Sequence, residues 1–177
     1  MQDNKKTARL VGLVLSSILA TGLVGIPMAL AQDEPDYTEL TDASVEQNNG
    51  KMELTVTTEG DIPRFPDDFI DSVLGFGYAW LDGNEAIVAA IHPEFDDSNQ
   101  NPNAWHTHTV ELTNGCVAVD DSQGGVKIDG NTMTLQLPNE FTGDIEPSQA
   151  VSFKLVEDEN CDSGAAVEVL DGPISTS

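Results

Sequence analysis

Beyond residue 50 the chain is a series of short segments in which apolar and polar side chains alternate with period two, punctuated by Gly, Asn, Asp and Pro. In residues 51–57 the apolar Met52, Leu54 and Val56 fall on one face of an extended strand. Residues 76–81 and 85–91 flank Asp82-Gly83-Asn84, which predicts a hairpin. The second of these, EAIVAAI, is apolar on both faces and so belongs in the middle of a sheet. Residues 104–113 and 116–120 flank Asn114-Gly115, the strongest short hairpin signal in the chain. A further turn at Asp129-Gly130-Asn131 separates residues 126–128 from 132–137, and strands at 150–156 and 165–170 complete the pattern. No segment of ten residues carries a helical period, although residues 67–74 suit one or two helical turns. The expected fold is therefore all-β: an antiparallel β-sandwich, immunoglobulin-like or Greek-key in architecture, of about eight short strands. The longer connections, 94–103 and 138–149, suit crossings between the two sheets.

The first 31 residues stand apart. Lys5, Lys6 and Arg9 precede an apolar run from Leu10 to Ile26, and Ala29-Leu30-Ala31 has the small-x-small form of a signal-peptidase site. This predicts a cleaved signal peptide over 1–31, with an uncleaved anchor as the alternative. Residues 32–50 are acidic and without period, which predicts a flexible lead-in. Residues 51–171 then form a single β-sandwich domain, and 172–177 a short tail. Such a product is secreted, or held at the cell surface by non-covalent contacts.

Charge changes this picture in one respect. The whole chain carries 31 acidic against 7 basic side chains, a formal net charge of −24. From Gln32 onward only Lys51, Arg64, Lys127 and Lys154 oppose 30 carboxylates, a net −26. Nucleic acid and anionic membrane surfaces are excluded as partners, since both are held by Lys and Arg. The acidic exterior suits either salt adaptation or the gathering of a cation.

Candidate chemistry is concentrated in two places. Cys116 and Cys161 are the only cysteines, and an even count in an exported chain predicts a disulfide. All three histidines, His92, His106 and His108, fall within 17 residues. His106 and His108 are two apart in AWHTHTVEL, so on a strand both imidazoles point to one face and can chelate one ion. His92 follows EAIVAAI directly, and an antiparallel return of the chain would bring it beside them. A two-residue turn at Asn114-Gly115 sets His108 opposite Asp121, making Asp121 the candidate carboxylate partner. Nitrogen-rich ligation of this kind favours copper or zinc over calcium or magnesium.

Other chemistry lacks its motif. There is no Gly-rich phosphate loop, no G-x-S-x-G and no H-E-x-x-H, so nothing beyond the histidines points to an enzyme. Loops starting at Asp97 and Asp158 only partly match a calcium loop. The stretch GYAWLDGNEAIVAAIHPEFDDSNQNPNAWHTHTVELTNGC, residues 77–116, resembles uncharacterised secreted proteins of ammonia-oxidising-type archaea. That resemblance implies an archaeal cell exterior, inclines the metal toward copper, and transfers no functional residue. Two readings remain: a secreted metal-binding protein, or a structural or adhesive cell-surface module that meets another extracellular protein and has no metal site.

Overall fold

The computed structural model describes residues 35–66, 73–93, 100–123 and 125–177. The signal peptide expected over 1–31 lies outside them, as do residues 67–72 of the expected helical turns. Ten strands are described: β1 (Leu40–Asn48), β2 (Lys51–Thr58), β3 (Val73–Asp82), β4 (Glu85–Ile91), β5 (His106–Thr113), β6 (Cys116–Gln123), β7 (Val126–Asp129), β8 (Thr132–Pro138), β9 (Gln149–Glu157) and β10 (Ala165–Ser175). A single helical turn, α1 (Asn139–Thr142), follows β8.

The all-β, antiparallel, two-sheet expectation holds, but the sheets differ in kind. One is an open four-stranded sheet in the order β1-β2-β8-β7, and the other closes into a barrel in the order β10-β6-β5-β4-β3-β9. Closure needs twist and stagger, and β-bulges supply the local twist. Register shifts occur in β3–β9, in β5–β6 and twice in β9–β10. The seam is thin: β6 and β10 share only the pair Ala166 and Cys116, beside a hydrogen bond from Val167 N to Gly115 O (2.9 Å). The Cys116–Cys161 disulfide, with Cα atoms 5.3 Å apart, ties β6 to the β9–β10 turn at this seam.

Because the barrel has an inside and an outside, there are two cores. Met52, Leu54, Val56, Leu135 and Leu137 of the open sheet pack against Phe76, Tyr78, Trp80, Ile87 and Ile91 on the outer wall of the barrel. Ala79, Leu81, Ala86, Val88, Ala90, Val110 and Phe153 belong to the barrel interior. This explains β4: Ile87, Ala89 and Ile91 serve the first core, while Ala86, Val88 and Ala90 serve the second. The Asn114-Gly115 turn is formed as expected, with φ of 54° and 85°, the positive values that a two-residue hairpin of matching twist requires.

Three expectations need correction. Residues 40–48 of the supposed flexible lead-in form β1, paired with β2 along its length, because the ladder and not an apolar period holds the strand. Asn49-Gly50, both at positive φ, is the hairpin signal that marks it. The tail does not begin at residue 172, since β10 runs to Ser175 and Ser177 N donates to Ala43 O (3.1 Å). The 94–103 connection joins neighbouring strands of the barrel rather than crossing between sheets, whereas the 138–149 connection does cross.

Candidate metal centre

The β4–β5 pairing decides the site. Ala90 lies opposite His106 and Val88 opposite His108, so both imidazoles share the inward side of the barrel with the alanine and valine. His92 continues the same alternation one step past the end of β4. Its amide donates to Pro102 O (3.1 Å), which draws the returning chain against it. Trp105, the residue before the pair, stacks on Tyr78 at 5.7 Å and donates its indole N–H to Pro63 O (2.8 Å), anchoring the entry to β5.

All three histidines are buried, with 5%, 2% and 5% of their surface exposed for His92, His106 and His108. Their ring centroids lie 4.6 Å apart for His92 and His106, 4.6 Å for His106 and His108, and 5.5 Å for His92 and His108. One nitrogen from each falls within 4.8 Å of the other two. His92 Nε2 and His108 Nε2 are 3.3 Å apart. Two nitrogens on one tetrahedral ion at about 2.0–2.1 Å would be about 3.3 Å apart, so this pair already has ligand spacing. His106 Nδ1 lies 2.7 Å from Ala104 O. A carbonyl can only accept, so Nδ1 carries the proton and donates, and Nε2 presents the lone pair. This is the outer hydrogen bond by which metal-bound imidazoles are commonly oriented.

No protein-family model, curated protein or solved structure matches the chain. Function must therefore be read from the geometry. Among the described residues, this cluster is the one group of His, Cys, Asp or Glu side chains with metal-ligand spacing.

Asp121 does not join it. The expected register holds from Thr113–Cys116 to Val110–Val119, then a bulge at Asp120 shifts it by one. Ser122, not Asp121, faces His108, and Asp121 pairs with Thr109. The Asp121 side chain is exposed and accepts from Ser122 N (2.8 Å). A bulge adds a residue to one strand only, which a count from the turn cannot reveal.

A residue overlooked in the sequence supports the site instead. Gly75 of β3 lies against the end of β4, and a Cβ there would sit 2.7 Å from His92 Cβ and 2.6 Å from Ile91 O. The alternation Gly75-Phe76-Gly77 was the available signal, since glycine inside a strand marks close approach of another backbone. The acidic turn at 158–162 has a local explanation. Asn160 N and Nδ2 both donate to Asp158 Oδ1 (2.9 and 2.7 Å), and these bonds hold the exposed carboxyl below its ordinary value.

Proposed function

We propose that the protein is exported and binds one transition-metal ion, copper or zinc, through His92, His106 and His108. The observation that carries this reading is three buried imidazoles from two neighbouring strands with their nitrogens inside 4.8 Å. Three neutral nitrogen donors suit Cu(II) or Zn(II) and leave a coordination position open. The surrounding carboxylates, four basic groups against thirty acidic ones from Gln32 on, raise the local concentration of cations. Export is supported by the leader's sequence pattern and by the disulfide, a bond that persists in oxidising compartments.

The second reading, a structural or adhesive surface module, draws on the same 3.3 Å contact, which is also within reach of an imidazole–imidazole hydrogen bond. Elemental analysis of the protein purified without an affinity tag, beside a His106→Ala, His108→Ala variant, separates the two. Stoichiometric copper or zinc that vanishes in the variant supports the metal centre. Absence of both metals from the native protein, together with no uptake on titration, leaves the surface module.

A further inference from the structure

The barrel interior is not filled. It holds a cavity of about 590 Å³, open on one side and within the range usual for small-molecule sites, where a packed core leaves few voids larger than a water molecule. The room comes from the sequence of β3 and β4. Their outward positions carry Phe76, Tyr78, Trp80, Ile87 and Ile91, whereas Gly75, Gly77, Ala79, Ala86 and Ala90 alternate with them on the inward side. The strand walls are largely apolar; His92 and His108 reach the cavity at one end, and Ser122, Ser163 and the aspartates of the mouth add further polar lining. The mouth opens along the seam, where β6 parts from β10 beyond the single Ala166–Cys116 pair. Val119 there is 56% exposed, and Asp120, Asp121 and Asp162 stand on the rim.

We propose that this cavity is the ligand pocket of the histidine centre, taking a small molecule with an apolar body and one nitrogen or sulfur donor, neutral or cationic overall. The inference rests on the metal reading above. The apolar body fills the barrel, and the donor occupies the coordination position that three imidazoles leave open. The rim sets the charge: three carboxylates at the mouth oppose an anionic ligand and tolerate a neutral or cationic one.

The test uses the purified protein, titrated first with Cu(II) or Zn(II) and then, once one copper is bound per chain, with imidazole or 4-phenylimidazole, followed by electron paramagnetic resonance and the visible copper bands. The two ligands share a donor and differ in apolar body. Burying about 80 Å² of phenyl surface corresponds to about a 30-fold preference for 4-phenylimidazole. Val110→Phe, inside the pocket, and Val119→Trp, at its mouth, are each expected to keep the copper and lose most of that preference. Should wild-type protein bind imidazole and 4-phenylimidazole alike, or both variants keep the preference, the pocket is refuted while the metal centre stands. Failure to take up either copper or zinc in the first titration overturns the metal reading and this one with it, so the two failures appear at different steps.

Discussion

Gly75→Ala tests whether the histidine centre depends on how closely β3 approaches β4. The added methyl carbon would meet Ile91 O at 2.6 Å, His92 Cβ at 2.7 Å and His92 Cα at 3.1 Å. Ordinary contacts of this kind begin near 3.4 Å, so the end of β4 must retreat by roughly 0.7 Å or more from a methyl group that has no flexible neighbour to yield. Overpacking of this type costs about 1–3 kcal/mol of stability. His92 is carried with the backbone, and a shift of that size in one of three ligands is expected to weaken metal binding by about 10- to 100-fold, the range seen when groups that orient ligands are removed. Gly77→Ala is the matched control. Its methyl would collide with the Phe153 ring and approach Ala89 O at 2.7 Å, so the barrel is strained without His92 being touched. Thermal unfolding measures the strain, and competition against a chelator of known affinity measures the metal. Both variants should lose stability, and Gly75→Ala alone should lose affinity. Equal metal affinities in wild type and Gly75→Ala, with the stability loss present, would falsify the claim that Gly75 positions His92.

Three further outcomes follow from the same structure. Replacing Cys116 and Cys161 together by alanine should lower unfolding free energy by about 4 kcal/mol, as expected for a loop of 45 residues in the chain-entropy model, read from the denaturant midpoint. Copper or zinc at 100 times its dissociation constant should stabilise the wild type by about 2.7 kcal/mol, an effect absent from the His106→Ala, His108→Ala variant and reversed by chelator. Burial pushes the Tyr78 phenol, which donates to Tyr37 O (2.6 Å), above its ordinary value of 10.0. A raised folded-state value means the stabilisation is complete below about pH 10 and declines above it, at about 1.4 kcal/mol per pH unit. Tyr78→Phe should flatten that alkaline decline at a cost of about 1 kcal/mol at neutral pH, both read from denaturant melts across the alkaline range.

The sequence by itself determined what is local. Period-two alternation and the turns at Gly83-Asn84, Asn114-Gly115 and Gly130-Asn131 specified strands and hairpins, because side-chain direction along a strand and positive φ in a tight turn are properties of a few consecutive residues. The two-sided apolar run of β4 identified a strand covered on both faces. The His106–His108 spacing placed two imidazoles on one face, and two cysteines in the chain left a single possible intramolecular pair.

Tertiary structure decided the rest, and each instance concerns a relation between distant segments. Whether β6 returns to meet β10 depends on twist accumulated over six strands, so the barrel and its cavity have no signature in any one of them. The bulge at Asp120 substituted Ser122 for Asp121 opposite His108, because a register is a property of a pair of strands and not of one. β1 exists because β2 offers it a ladder, although its own residues carry little apolar period. Likewise His92 reaches the other two histidines only because β4 and β5 are neighbours and because Gly75, some seventeen residues earlier, has no side chain to hold it away.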